Sequence, residues 1–465
     1  MSKGIGRLVQ LGLAKETTRG TAISAATYWL PTDEISIDEK FENAVADQAV
    51  GVVENSINEY RVKNYADGSF KVPMMDQSTG LLFVSLLGAQ AVAAHGAEAA
   101  VYDHTFTVGE SAQHQSLTMF LHDQLSGVDY SHANGVVHKM DIDAQLKKFV
   151  QLSLSARAQK GVSQSSFTPS ILSENRFIPQ YMTFSSAPNT AGLLPIYSGT
   201  GTAASTIHVT ALSFNTDVLS VGMTVTGTNV PAGTTIAAIV SATAVDLSQA
   251  TTGNAGTLYF GSLTATGTAS STIHVTSLSI NTNQIKVGMT VNGTNVPAGA
   301  TVAKIVSSTA FDLSAASTGS IGTLTFGGAV VALKSLKLSI DETVEDQEVL
   351  GNVAPADFLN KEFKVEGSLE AIWQNETDFK TAALATPNVG QALLIDLKNT
   401  DVTIGTAANP ELKITLDQVF FTEFSRPIKI KDLVYSTVKF RATYSLTNSE
   451  MIKILLTNTV SGAYA

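Results

Sequence analysis

Alternating polar and apolar positions recur along the chain in short runs, the pattern of half-buried strands whose side chains point to opposite faces in turn. Val137-His-Lys-Met-Asp-Ile142, Phe149-Val-Gln-Leu-Ser-Leu154, Leu412-Lys-Ile-Thr-Leu416 and Tyr435-Ser-Thr-Val-Lys-Phe-Arg-Ala442 all read this way. Between positions 201 and 326 the runs are shorter. Thr206-Ile-His-Val209, Gly222-Met-Thr-Val225, Thr235-Ile-Ala-Ala-Ile-Val240, Ala244-Val-Asp-Leu247 and Thr257-Leu-Tyr-Phe260 are β-prone and separated by Gly, Asn and Pro turns. The most apolar stretch, Gly80 to Ala94, is too short to cross a bilayer and is expected to form a buried helix.

These runs are written twice. Gly201-Thr-Ala-Ala-Ser-Thr-Ile-His-Val-Thr210 recurs as Gly267-Thr-Ala-Ser-Ser-Thr-Ile-His-Val-Thr276, and at the same offset of 66 Val221-Gly-Met-Thr-Val225 meets Val287-Gly-Met-Thr-Val291. Of 60 aligned positions from Gly201 to Phe260, 42 are identical and none needs a gap, which marks a tandem duplication of a small all-β unit. A unit of about 65 residues is marginal alone, so the copies are expected to lean on each other or on a host domain. Their Thr-, Ser- and Asn-rich surfaces favour a solvated, outward position.

The flanks carry a fainter repeat. Ile35-Ser-Ile-Asp-Glu39 resembles Leu338-Ser-Ile-Asp-Glu342, with Gly68-Ser-Phe70 and Gly367-Ser-Leu369 downstream. After each Gly-Ser comes an alternating strand and then a helix-like stretch, Gln77 to Leu87 with Asp76 as its cap and Glu376 to Leu384 with Asn375 or Thr377 as its cap. The expected organisation is two related halves, 1–195 and 330–465, with β modules at 199–263 and 265–329 inserted at the join.

Composition narrows the function classes. Hydrophobic residues make up 44% and charged residues 15% of 465, and there is no cysteine, so neither a disulfide framework nor thiolate metal sites are available. A net charge of −11 gives no overall footprint for gripping a nucleic-acid backbone. The first residues lack a signal peptide's apolar core, so synthesis in the cytoplasm is expected. No nucleophile elbow, zinc-helix, phosphate-loop or dinucleotide motif occurs, and no enzyme, cofactor or metal is expected. His122-Asp123 with His132 lacks ligand spacing; His208 and His274 are one position copied, read as structural. Asp141 and Asp143 share a strand face as solvated or lumen-facing acids, Asp246 and Asp312 read as strand-end turn residues rather than calcium ligands, and Trp29 and Trp373 read as core anchors.

The flanks resemble the tail tube proteins of long-tailed, siphovirus-like bacteriophages. Lys15-Glu-Thr-Thr-Arg-Gly-Thr21, the strand Ile35 to Glu39, Gly68-Ser-Phe70 and Asp76-Gln-Ser-Thr-Gly80-Leu-Leu, in that order, carry the likeness. The resemblance implies a mainly β fold: two related β-sandwich-plus-helix tail tube domains with two tandem small immunoglobulin-like modules inserted. The paired cysteines and core tryptophan of antibody domains are missing from those modules.

It further implies a structural virion protein assembled in the host cytoplasm, self-associating as trimeric pseudo-sixfold rings stacked helically. Tape-measure protein and transiting DNA would occupy the lumen without specific binding, past acidic inner strands, with tail terminator and tail tip proteins at the ends. The modules would face outward, possible contacts for host-surface polymers, on a non-contractile tail with no membrane partner. Residues Phe41 to Ala66 would form a long loop to the neighbouring ring, with Phe41, Val45, Val50, Val52, Val53 and Ile57 as its apolar contacts if they do not pack on their own sandwich. The alternative is a cell-surface or fibre protein whose tandem modules bind carbohydrate.

Overall fold

A computed structural model describes residues 6–48, 51, 53, 58–96, 98, 100–124, 127–193, 197–214, 216, 219, 221–261, 263–373, 379–428, 430 and 433–464. The fold is mainly β. One long antiparallel sheet runs through both flanks in the spatial order Glu34–Ala46, Asn58–Pro73, Gln151–Ala158, Asp129–Gln145, Leu333–Gln347, Asp357–Ile372, Tyr435–Ala442 and Glu411–Ser425. The first four strands come from the N-terminal flank and the last four from the C-terminal flank. They meet where Asp129–Gln145 pairs with Leu333–Gln347, Asp143 opposite Lys337 and Asp141 opposite Ser339.

The two four-stranded sets match residue for residue. Gly68 faces Ile37 and Ala156 in the first; Gly367 faces Leu338 and Phe440 in the second. The bulge after Glu42 recurs after Thr343, and the bulge after Val137 recurs after Phe421. A bulge inserts an extra residue and bends the strand, so its recurrence at matched positions makes the two sets geometric counterparts despite their different side chains. The motifs Ile35 to Glu39 and Leu338 to Glu342 are themselves two residues out of phase, because Ile37 rather than Ile35 occupies the position of Leu338.

Behind this sheet lies a second layer. Val9–Lys15, Leu117–Asp123 and the start of Asp129–Gln145 serve one flank; Met182–Ala187, Gln391–Lys398, the start of Glu411–Ser425 and Ile452–Asn458 serve the other. Strand Tyr102–Val108 of the first flank pairs with Ile452–Asn458 of the second, so the halves are interleaved. A single apolar cluster spans both, from Leu11 and Phe70 through Ile340 to Leu456 and Tyr464.

The helix expected over Gly80 to Ala94 exists only as Thr79–Leu87, and Gly88–Ala94 is a strand. Gly88 ends it with φ +86, a left-handed conformation that a side chain resists, and a Cβ there would also strike the His114 ring. Asp76 does not cap this helix: Ser78 holds the N-cap position, and the Asp76 carboxylate accepts from the Asn175 backbone and side chain at 2.9 and 2.7 Å. In the second half the helix is Lys380–Ala383, and the proposed caps Asn375 and Thr377 lie outside the described residues.

Each 66-residue copy folds as two three-stranded sheets, and every strand and register of the first recurs 66 residues later, as His208 opposite Asp246 and His274 opposite Asp312 illustrate. Strand pairing begins at Tyr197 in the first copy and Leu263 in the second. The first module has its own core around Val209, Val225 and Phe260. The second shares its core with the host through Ala187, Ala392 and Leu394, reinforced by Lys286 donating to Ser186 Oγ at 2.8 Å. The modules touch through the Thr226 and Thr325 hydroxyls at 2.9 Å.

Candidate assembly surfaces

Alternation buries one face of the long sheet against the second layer and turns the other to solvent. Read across the strands, one row of that open face is Glu34, Lys71, Ser153, Asp141, Ser339, Glu366 and Arg441. The parallel row through Asp143, Lys337, Ser368, Lys439 and Glu423 also mixes signs. Ser339 Oγ donates to Asp141 at 2.5 Å, and Lys439 meets Glu423 at 2.6 Å. Lys364 and Arg441 hold the Glu366 carboxyl below its ordinary range. The expected acidic strands are therefore not what this face carries: Asp141 and Asp143 sit among Lys139, Lys337 and Lys439, and serines fill the gaps. Such a surface presents neither a clustered cation patch for phosphate nor an apolar patch for protein.

Both hairpins extend past the sheet. Most of the segment from Phe41 to Ala66, expected as a loop, is paired strand, with Phe41 opposite Asn64 and Ala46 opposite Asn58. Seven residues, Lys40 to Ala46, lie beyond the last pairing of that hairpin to Gln151–Ala158, a reach of about 20 Å at 3.3 Å per residue. Of the expected contact residues, Phe41 is 56%, Val45 54% and Val53 102% exposed, and Tyr60 and Val62 join them. Val50, Val52 and Ile57 lie outside the described residues. The Arg61 guanidinium covers the Phe41 ring at 4.0 Å.

The second hairpin, Leu333–Gln347 with Asp357–Ile372, is instead anchored on the first half. Glu342 accepts from Asn360 and lies 3.2 Å from His114 Nδ1, and the Asn360 backbone N–H donates to Ala112 at 2.8 Å. Burial pulls the His114 pKa down, but Glu342 and the Leu86 and Gly109 carbonyls outweigh it and raise it. Asp357 takes Arg19 at 2.6 Å and Asn134 at 3.1 Å. Burial pushes the Asp357 carboxyl up; Arg19 and Asn134 prevail and hold it low. Arg19 belongs to the motif Lys15 to Thr21, whose other members also staple: Glu16 accepts from Gly20, Ser116, Thr118 and Asn134, and Lys15 donates to the Tyr464 carbonyl. Sequence reading picked out this motif without any signal of these partners, which lie up to 449 residues away.

The hairpins meet at a charged cluster. Asp346 accepts from Arg157 at 2.8 Å and from Lys63 at 2.7 Å, while Lys63 also reaches Glu348 and Arg157 reaches Asp67. Burial opposes both cations, yet the carboxylates raise the pKa of each.

The residues weighed for chemistry separate. His122 binds Asp129 at 2.9 Å and stacks edge-on to Trp29, whereas His132 faces the Gln159 carbonyl. Among the described residues no group of three or more potential metal ligands occurs. His208 reaches Asp246 at 2.5 Å and His274 reaches Asp312 at 2.7 Å, cross-strand pairs invisible in the sequence because 38 residues separate the partners. Trp29 is a core anchor with Ala14 and Phe120; Trp373 lies nearer the surface under Arg426.

No curated protein matches the chain. The family model described as phage tail tube protein matches residues 6–442, spanning both flanks and the modules between them, and by that match the chain belongs to the phage tail tube protein family, a structural rather than enzymatic component of the virion that self-assembles into a tube.

Proposed function

We propose that this protein builds the wall of a hollow, siphovirus-type tail tube through which DNA passes during ejection, each ring made of three chains that supply six related halves. The carrying observation is the continuous sheet in which two matched four-stranded sets lie side by side with one unbroken polar face. Closing such a sheet on itself would remove its exposed edges.

The polar face then lines the lumen. Its interlaced charges and serines let the tape-measure protein and DNA slide past without a binding site. The second module, fixed to the opposite layer through Ala187 and Ala392, and the first, which touches it through Thr226, project outward as loosely immunoglobulin-like decoration and are available to host-surface polymers. Outward modules leave no room for a sheath, which favours a non-contractile tail. The halves 1–195 and 330–465 and the modules 199–263 and 265–329 act as the working units. Val45 and Val53, with Val50, Val52 and Ile57, reach the next ring as rings stack helically, and tail terminator and tip proteins close the ends. Assembly takes place in the host cytoplasm.

The carbohydrate-binding reading is not carried further, since the module phenylalanines Phe260, Phe311 and Phe326 are buried in cores and the half-buried Phe214 packs edge-on against Phe260 rather than standing as a platform. Electron microscopy of the purified protein should show hollow tubes with external knobs and three chains per ring. A protein that stays monomeric at every concentration and salt would refute the proposal.

A further inference from the structure

The internal junction between the halves has a counterpart at the outer edges of the chain. Glu34–Ala46 pairs only with Asn58–Pro73, and among the described residues nothing pairs with its other edge. Phe420 to Ser425 likewise pair on one side only, with Tyr435–Ala442. By the matched registers, Glu34–Ala46 occupies the place of Leu333–Gln347, and Val419 to Ser425 the place of the later part of Asp129–Gln145. These are the two strands that form the internal junction.

We propose that a second copy of this chain closes the ring by pairing its Glu34–Ala46 edge with the Glu423 to Ile428 edge of the first, in the register copied from the internal junction. The inference rests on the tube reading and adds which edges meet and which residues face each other.

Lys139 opposite Asp341 becomes Glu423 opposite Lys40, an oppositely charged pair with its sign reversed. Asp141 opposite Ser339 becomes Ser425 opposite Asp38, a carboxylate and a hydroxyl again. On the other face Leu336 opposite Ala144 becomes Ile35 opposite Ile428, which covers a side chain now 68% exposed. Arg426 falls diagonal to Glu39, a second pair of opposite sign. In the single chain Glu423 leans on Lys439 at 2.6 Å and Lys40 on Asp38 at 3.6 Å, solvent-exposed pairs that a cross-strand partner can share.

The hairpin extends the same logic. Phe41 and Arg61 occupy the positions of Glu342 and Asn360, which are buried against Ala112 and His114 of the other half. Matching Leu117–Asp123 to Gln391–Lys398 places Thr386 and Asn388 at the positions of Ala112 and His114. The loop from Thr386 to Val389 is exposed, with Val389 at 52%. Phe41 therefore packs within the ring, on this loop of the neighbouring copy, rather than between rings.

Because the chain has no cysteine, Lys40→Cys with Glu423→Cys creates a single reporter pair. Directly opposed antiparallel residues lie about 4.5–5.5 Å apart at Cα, inside disulfide range. Oxidised tubes should give a non-reducing ladder that stops at three chains, whereas Ser36→Cys with Glu423→Cys, four residues out of register, should cross-link at least tenfold less. Lys40→Glu should weaken tube assembly several-fold and Lys40→Glu with Glu423→Lys should restore it. Hydrogen exchange of the unaltered protein guards against misfolded variants: amides of 36–40, 423–426, 428, 386, 388 and 389 should slow on assembly, Pro387 and Pro427 having none. Tubes that form while those amides exchange as in the free chain, or that cross-link equally in both registers, overturn this inference and leave the tube reading standing. Failure of the unaltered protein to form tubes overturns the tube reading itself, and the register with it.

Discussion

Gly68 and Gly367 occupy one position of the two matched sheets, and the structure predicts opposite consequences of placing alanine there. At Gly367 a Cβ would stand 2.3 Å from the Phe440 ring and 2.8 Å from the Lys337 carbonyl oxygen. Carbon contacts are comfortable only at about 3.5–4.0 Å. Phe440 is 1% exposed and the carbonyl belongs to the neighbouring strand, so neither can retreat cheaply. The overpacking should cost about 1–3 kcal/mol. At Gly68 the nearest atoms are the terminal methyl of Met119 at 3.2 Å and Ile37 Cγ1 at 3.6 Å. A methionine end swings aside readily, and alanine removes glycine's strand penalty of about 0.5–1 kcal/mol. Gly68→Ala should therefore be near neutral while Gly367→Ala is destabilised by at least about 1 kcal/mol. A chain of this size need not unfold in two states, so the readout is native-state hydrogen exchange across each half, supported by thermal melts. Phe440→Leu in the Gly367→Ala background should recover part of the loss. Equal destabilisation at the two glycines, or a larger effect at Gly68, would refute the reasoning.

Four further outcomes follow from the packing. His114 has a raised pKa in the fold, so its stabilising contribution is complete below its unfolded value of about 6.5 and is lost as pH rises through the higher folded value; its ring proton resonance should titrate above the free imidazole, and a value below it would contradict the assignment. Arg157→Ala leaves Asp346, itself 8% exposed, with one cation fewer and should cost about 1–2 kcal/mol in thermal melts, the partial exposure of Arg157 moderating the loss. Removing Tyr464 and Ala465 strips a fully buried ring from against Gly80 and should cost about 3–5 kcal/mol, an expectation that an unchanged melting temperature would defeat. Excising residues 197–262 should leave the rest folded, because that module's core is its own, whereas excising 263–328 should lower the melting temperature by exposing Ala187, Ala392 and Leu394.

The tandem modules were legible because 42 of 60 positions still agree. The match between the two halves of the host sheet was barely so. Gln151–Ala158 and Tyr435–Ala442 are matched strands of equal length yet share only Arg157 with Arg441 and Ala158 with Ala442. What persists between them is register and bulge position, properties of pairing that a linear comparison does not contain. The motif that did suggest the repeat aligned Ile35 with Leu338, two residues from the true correspondence. A slip of two keeps every side chain on its own face, so the motif pointed to the right architecture through the wrong register. The helix over Gly80 to Ala94 was overextended for a related reason: a wholly apolar run has no period to separate helix from strand, and only the backbone at Gly88 marks the change. Assembly surfaces were least legible. The polar face, the Glu342–His114 contact and the Arg19–Asp357 staple all join residues more than 200 positions apart, or strands whose adjacency no local pattern encodes.

In the proposed ring, two matched halves in one chain permit a division of labour that identical subunits cannot have. In a ring of one repeated domain every junction is the same, so an insertion or a charge change is copied at each. Here the internal junction is held in one chain and the outer edges are free to diverge, as the long exposed hairpin at Asn58–Pro73 and the anchored one at Asp357–Ile372 already do. The reversed charges give that divergence a purpose. Lys139 and Lys40 both belong to first halves, and Asp341 and Glu423 both to second halves. Pairing two first halves in the copied register would set Lys139 against Lys40; pairing two second halves would set Glu423 against Asp341. Like charges directly opposite destabilise a sheet, and opposite charges contribute about 0.2–1 kcal/mol per pair. Only the alternating order, first half to second half around the proposed ring, satisfies both the internal junction and the proposed outer one. Lys139→Glu with Asp341→Lys should therefore preserve each chain's internal pair while removing this discrimination. Its mark would be swapped or irregular rings in electron micrographs, and rings as regular as those of the unaltered protein would show that the charges do not set the order.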